Sequence, residues 1–403
     1  MVHLIMVKIQ VAAIIAEFNP LHRGHEYVIT RARELTGASH VLIVQSGNFV
    51  QRAEPAILEK HIRAESAIRA GADAVVEIPS LFATGNAEVF AKASVKIATS
   101  FPHVTHLVFG TESKDLELLR TIAATQVNNT EAFERYMASH LVKGISFDKA
   151  RTEVIKRLLP SIGAETIERA MKTPNNILAI EYLKELCRAK SSVKAVGVQR
   201  IDGVSSTQIR QELLSSVKQL ALGHNGLPMV APTISNKVKN PEFLTRYHYE
   251  NFGSMALFAI MTKLNTTIYN SNEELVNLLR NSHPTSYAQM KLEVPTKRFS
   301  VSRIARLALH CALGVTRTDV EHLYRNEWLP YTNLLAIRAC EDKLFSSLCI
   351  NSRTPLVVRG NKIKPRTTTA FYKACKRIDE KAELMYEAIT GRKHSNTPRF
   401  VEV

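Results

Sequence analysis

The 403-residue sequence predicts an α/β fold: a Rossmann-like, doubly wound parallel sheet followed by a mostly helical, basic part. Three observations predict it. Short apolar runs alternate with helical segments through the first half. The first run breaks at Asn19-Pro20 into a helix start carrying His-x-Gly-His. From about Asn236 the alternation stops and positive charge accumulates.

The elements follow in order. Val11-Ala12-Ala13-Ile14-Ile15 is a continuous apolar run, the pattern of a strand buried on both faces, and a helix opens near Arg23. His40 to Gln45 is the second strand, followed by a helical stretch around Leu58 to Ala70. Ala74 to Pro79 is the third, with a helix over about Gly85 to Ala98, and Leu107 to Gly110 closes a fourth. Helical sequence runs from about Asp115 to Arg188, Val193 to Val198 restores a strand, and Ser205 opens another helix. The expected division is a nucleotide-binding unit over 1–235 and a helical, basic unit over 236–403.

Where the first strand turns into its helix, two imidazoles and the unpaired N–H groups of the helix start converge. Anions bind at such a point, because free amides and the positive dipole end face the ligand. Gly24 lacks a side chain, so a phosphate can approach the backbone. His22 and His25 are three apart, on one face of the first turn, and can donate to phosphate oxygens. That arrangement suits nucleotidyl transfer, where an α-phosphate under attack gains charge. Neither a P-loop nor a Gly-x-Gly-x-x-Gly fingerprint competes.

Charge adds a second constraint. Lys and Arg number 53 against 37 Asp and Glu, a formal +16. Such an excess points to a polyanion, nucleic acid first, with a solvated basic surface as the alternative. Residues 241 to 403 hold 24 Lys and Arg against 15 Asp and Glu. Within them Arg303, Arg306 and His310 share a helical face, while Arg359, Lys362, Lys364 and Arg366 surround Pro365 in a second basic patch. The five cysteines are scattered, without a Cys-x-x-Cys pair, and read as buried thiols of a reducing cytoplasm. No apolar run is long enough for a membrane span and no metal-ligating cluster shows.

Ser205-Ser206-Thr207-Gln208-Ile209-Arg210 places hydroxyls at a helix start and an arginine one turn later. An ordinary N-cap is one reading. With Arg200 upstream, a site for the β- and γ-phosphates is the other, and pairing with His-x-Gly-His favours it.

These residues resemble a family. His-x-Gly-His with a downstream Ser-Ser-Thr-x-Ile-Arg is similar to the Rossmann-like nucleotidyltransferases. Five segments look more specifically like the tRNA(Met) cytidine acetate ligases. They are Ile14 to His25, Ser46 to Ala56, Ala70 to Pro79, Pro174 to Leu178 and Thr296 to Ser300. The resemblance runs from about Ile9 onward. It departs at Leu21 and Arg23, where the family usually has Phe and Asn, and at Ala53 and Ala179, often Gly.

The resemblance implies an enzyme that activates acetate with Mg·ATP as acetyladenylate. It would then acetylate the wobble cytidine of elongator tRNA(Met), giving N4-acetylcytidine. His22 and His25 would be catalytic. The nucleotide would contact Ile15, Ala16, Glu17, Phe18, Asn19, Pro20 and Gly24 in the first loop. Gly110, Asn175, Arg200, Ser206, Thr207 and Arg210 would complete that site. Ser46, Gly47 and Asn48 form a candidate acetate pocket, while Gln51, Arg52 and Lys60 read equally as surface charges. Lys297, Arg298, Arg303 and Arg306 are the expected tRNA contacts. Two rivals stand beside this reading: a nucleotidyltransferase acting on a small phosphorylated metabolite, and a non-catalytic RNA-binding protein. Oligomeric state stays open.

Overall fold

The computed structural model describes residues 9–200, 205–215, 243–339, 341–350, 352–358 and 369–403. It opens with β1 (Val11–Ala16), α1 (Arg23–Thr36), β2 (His40–Ser46), α2 (Lys60–Arg69) and β3 (Ala74–Ile78). A single turn, α3 (Ser80–Ala83), leads into α4 (Ala87–Ser100) and β4 (Val104–Thr111). Five helices follow: α5 (Leu116–Asn128), α6 (Thr130–Val142), α7 (Phe147–Leu158), α8 (Ala164–Lys172) and α9 (Pro174–Arg188). β5 (Lys194–Gln199) and α10 (Ser206–Ser215) come next.

β1 through β5 pair in parallel in the order β5-β4-β1-β2-β3. Strand order reverses at β1, flanked by β2 on one side and β4 on the other, so a crevice opens at their carboxyl ends. The apolar runs account for this arrangement. All five residues of β3, and every residue of β1 except Ala16, are buried. Strands without a polar face need helices on both sides of the sheet. α1 ends where Gly37 takes a left-handed φ of 64° and donates to the Arg33 carbonyl at 2.9 Å.

Later residues form α11 (Arg246–Lys263), α12 (Glu273–Ser282), α13 (Tyr287–Glu293), α14 (Val301–Leu313) and α15 (Arg317–Arg325). β6 (Thr332–Arg338), α16 (Asp342–Ile350), β7 (Leu356–Val357), α17 (Ala370–Thr390) and β8 (Arg399–Val401) complete the described chain. This part is mostly helical, as expected, yet it adds three strands to the sheet. β6 runs antiparallel to β3, with Ala74 opposite Ile337, and β7 and β8 pair with β6. The sheet is therefore mixed at one edge. The seven residues Thr332–Arg338 hide this in sequence, because a short apolar run fits a buried strand or a helix turn equally well.

The two parts are joined by buried polar contacts. Tyr386 on α17 donates to the Ala56 carbonyl at 3.1 Å, and Asp379 accepts from the Ser80 amide at 2.6 Å. Lys60, for which a surface charge is one of the two readings of the sequence, is 4% exposed and bridges Glu77 at 3.1 Å and Glu383 at 2.6 Å. Burial of the helix start beneath α17 is the reason: an ammonium there needs carboxylates on both sides.

Among the described residues no helix is long and apolar enough to cross a membrane. Cys311 and Cys375 are buried as expected, whereas Cys349 is exposed and Cys187 half-buried. Cys340 and the patch Arg359, Lys362, Lys364 and Arg366 lie outside the described residues.

Candidate active site

His22 is the N-cap of α1, in extended backbone with φ −145°, and its Nδ1 accepts from the Gly24 amide at 3.1 Å. The Nδ1 of His25 accepts from the His22 amide at 3.3 Å, closing a reciprocal capping box. With both Nδ1 atoms accepting, the neutral rings carry their protons on Nε2, so each keeps one donor for a ligand. The rings stack with centroids 3.8 Å apart. Burial, with Arg200 beside it, lowers the His22 pKa to about 4. Burial, the neighbouring His22 and Arg200 hold His25 well below the ordinary imidazole value. Gly24 has a protein-side reason beyond phosphate approach. A Cβ there would stand 3.0 Å from the Cε1 of His22 and crowd the capping ring.

The histidines face a cavity of about 340 Å³ at the carboxyl ends of β1 and β4. Ile15, Ala16, Glu17, Phe18, Asn19 and Gly24 of the first loop line it, as do Gly110, Asn175, Arg200, Ser206, Thr207 and Arg210. Pro20 shapes the turn through a cis Asn19-Pro20 bond and does not line the cavity. Arg23, one of the departures from the family pattern, is exposed and outside the lining. Asn19 is 1% exposed; its Oδ1 accepts from the Ile57 amide at 2.7 Å, and its Nδ2 has no partner among the described residues. An unpaired buried donor beside a phosphate-sized space is costly unless a ligand satisfies it.

The second motif resolves into distinct roles. Ser205 caps α10 by accepting from the Gln208 amide at 3.1 Å, which leaves Ser206 and Thr207 at the helix start facing the cavity. Arg210 donates to the Asn19 carbonyl at 2.6 Å and to Thr207 Oγ1 at 3.4 Å. It therefore ties α10 to the β1 loop as well as lining the site.

Asn175 and Asn176 also divide. Asn176 is buried and its Oδ1 accepts from Thr111 Oγ1, the Glu112 amide and the Ser113 amide at 2.9–3.1 Å, pinning the end of β4. Asn175 points its Nδ2 to Glu112 Oε1 at 2.6 Å instead of capping α9, whose N-cap is Thr173. Glu112, which sequence reading missed, also lies 3.6 Å from Arg200. Its position two residues past Gly110 on β4 was the available signal, since strand ends form the crevice. The apolar wall of Phe109, Leu178 and Tyr182 was missed too.

Arg63 was another omission. It is fully buried and donates to the carbonyls of Leu58, Glu17, Ser46 and Gly47, drawing the loops after β1 and β2 together. Glu17 sits next to it. Burial raises the Glu17 carboxyl, opposed by the Gln51 amide at 2.7 Å and by Arg63. Of the second loop, Gln51 and Arg52 reach the cavity. Ser46, Gly47 and Asn48 do not line it. They are packed beneath: a Cβ on Gly47 would meet Glu77 Oε1 at 2.5 Å, and Asn48 bonds the Lys60 amide at 2.8 Å and Glu383 at 3.2 Å.

The expected tRNA residues are brought together at the start of α14. Lys297 and Arg298 are exposed, and Arg298 pairs with Glu274 at 2.7 Å. Arg303 and Arg306 are half-buried, Arg303 reaching the Asn270 carbonyl at 3.4 Å. His310, on the same face, is fully buried.

A family model described as HIGH Nucleotidyl Transferase matches residues 9–399. A tRNA(Met) cytidine acetate ligase of Acetivibrio thermocellus is 30% identical, covering 87% of this chain and 88% of the relative. Its counterpart in a Thermoanaerobacter species is 33% identical, over 76% of this chain and 79% of the relative. The crystal structure of Thermotoga maritima TmcAL bound with alpha-thio ATP superposes with a TM-score of 0.87 at 26% identity. That superposition covers 98% of this chain and all of the other. The match over nearly the whole length, together with relatives at 30% identity or more, shows that the chain belongs to the HIGH nucleotidyl transferase family, among the tRNA(Met) cytidine acetate ligases.

Proposed function

We propose that the chain is an ATP-dependent ligase that activates acetate as acetyladenylate and transfers the acetyl group to the wobble cytidine N4 of elongator tRNA(Met). The observation that carries the reading is the cavity itself. His22 and His25, each with its Nε2 left over from capping, line one cavity of about 340 Å³ together with Arg200 and Asn19.

In the first step an acetate oxygen attacks the α-phosphorus, the bond to the bridging oxygen breaks, and pyrophosphate leaves. His22 and His25, neutral at physiological pH, donate hydrogen bonds to the α-phosphate oxygens as charge develops, without transferring a proton. Arg200 and the α10 start hold the departing pyrophosphate. Phe109, Leu178 and Tyr182 give the adenine an apolar wall. The acetate subsite belongs to the Gln51–Arg52 side, with Ser46, Gly47 and Asn48 supporting that loop from below. In the second step the cytidine amine attacks the acetyl carbon, its proton is lost, and AMP leaves.

Magnesium travels with the triphosphate in this reading. Among the described residues no cluster of three His, Cys, Asp or Glu side chains forms a cage for it. The compartment is the cytoplasm, and the four described cysteines are free thiols. Incubation with ATP, labelled acetate and unmodified tRNA, followed by nucleoside analysis, tests the whole. Acetate-dependent pyrophosphate release without tRNA, and labelled N4-acetylcytidine with it, are expected. Release that needs a phosphorylated small molecule instead would overturn it.

A further inference from the structure

A second concave site lies at the opposite ends of the strands. This groove, of about 670 Å³, is lined by Phe101-Pro102 before β4, by Ser191 to Val193 before β5, and by the ends of α4, α9 and α15. The eight residues of β4 separate it from the nucleotide cavity by about 26 Å at 3.3 Å per residue. Six cations line it, Lys92, Lys96, Arg188, Lys190, Arg325 and Arg353, against two carboxylates, Glu185 and Glu327.

Some of those cations are structural. Lys92 and Arg188 share Glu185, and the Lys96 ammonium is held by the carbonyls of Leu323 and Asn326. Burial first, and the neighbouring Lys92 second, bring the Lys96 pKa down to about 8. Lys190 and Arg353 are different: both are exposed and neither has an ion pair among the described residues. Two aromatic rings stand among the cations. The Arg353 guanidinium lies 5.0 Å from the Trp328 ring centre, and Lys92 lies 4.6 Å from that of Tyr324, which is half exposed.

Exposed cations interleaved with aromatic faces are what single-stranded nucleic acid requires, phosphates on the cations and bases on the rings. An acidic peptide would use the charges and leave the rings idle. We propose that this groove is a second RNA site, taking an unpaired segment of the tRNA away from the nucleotide being acetylated, with phosphates on Lys190 and Arg353 and a base over Trp328 or Tyr324. The assignment rests on the reading of the chain as a tRNA-modifying ligase.

Trp328 is the only tryptophan of the chain, so its fluorescence reports this groove alone. Titrating the full-length protein with unmodified tRNA, a short single-stranded oligoribonucleotide and polyglutamate should quench Trp328 with the two RNAs only. Combining Lys190→Ala with Arg353→Ala should flatten the log–log salt dependence of tRNA binding by about 1.4 units, two contacts at roughly 0.7 each. Acetate-dependent pyrophosphate release without tRNA should stay unchanged in that variant. Silence of Trp328 at saturating tRNA, quenching by polyglutamate in place of RNA, or an unaltered salt slope overturns the RNA groove while leaving the ligase reading in place. Quenching and slope as expected, with no acetate-dependent pyrophosphate release in the unsubstituted protein, keeps the groove and removes the ligase reading.

Discussion

The imidazoles of His22 and His25 lie 3.8 Å apart and 23° from parallel, each pinned through Nδ1 to the backbone of its own helix turn. Neutrality allows that closeness, since two imidazolium rings would repel. In nitrogen-detected NMR of the ligand-free protein, both rings should stay neutral Nε2–H tautomers from pH 8 to pH 5. A titration near pH 6.5 in either ring would count against the capping geometry. The sign for stability follows. His22 has a folded pKa of about 4 against an ordinary 6.5, so its contribution is present above pH 6.5 and is lost as pH falls towards 4.

His25→Ala should lower acetate-dependent pyrophosphate release by about 100- to 1000-fold, the usual cost of one transition-state donor. The same change removes half of the capping box, so thermal unfolding should fall by an amount corresponding to about 1 kcal/mol. Near-normal turnover would take His25 out of the chemistry.

Glu112 positions two ligand-facing groups, Asn175 at 2.6 Å and Arg200 at 3.6 Å, without being a phosphate donor itself. Glu112→Ala should therefore raise the KM for ATP about tenfold, with a smaller change in kcat, for a loss of roughly 1.5 kcal/mol in charge-assisted hydrogen bonding. Glu112→Gln should restore part of it, because one acceptor returns. A pure kcat effect would indicate direct participation instead.

Ala53 sits at a position where the family often has Gly, and here its φ is 60° while its side chain is fully buried. A left-handed alanine costs roughly 1–2 kcal/mol, partly offset by the greater chain entropy of glycine when unfolded. Ala53→Gly should thus stabilise the protein by about 0.5–1 kcal/mol, read by denaturant unfolding. Destabilisation would mean that the methyl's packing outweighs the strain.

Arg303 and Arg306 remain the expected phosphate contacts of α14, although their half-burial makes them less free than a helical stripe suggests. Neutralising both with Gln should flatten the salt dependence of tRNA binding by roughly one to two units, with acetyladenylate formation hardly changed. An unaltered slope, with lowered stability alone, would mark them as packing residues.

The first five strands were legible because strands buried on both faces spell themselves as apolar runs, as Val11–Ile15 and Ala74–Ile78 do. The histidine turn was legible because glycine, proline and paired histidines leave few alternatives. β6 was not, since its partner β3 is remote in sequence: Thr332 bonds the carbonyl of Glu77, 255 residues away. Arg63 looks like any arginine of an amphipathic helix. Only the folded chain shows that its guanidinium is spent on four loop carbonyls. Gln51 and Arg52 belong to the site while Ser46 to Asn48 lie under it, a distinction set by which way one loop turns after β2.

The antiparallel pairing of β3 with β6 has a consequence during synthesis. While a ribosome is still making the later residues, β3 presents an open edge, and Lys60 and Glu77 lack their partners Glu383 and Asn333. Open edges recruit other strands, and closing contacts this distant in sequence is slow. The nascent chain therefore passes through a long interval in which it is exposed to aggregation and suited to chaperone capture, and a fragment cut near residue 235 would be held permanently in that state.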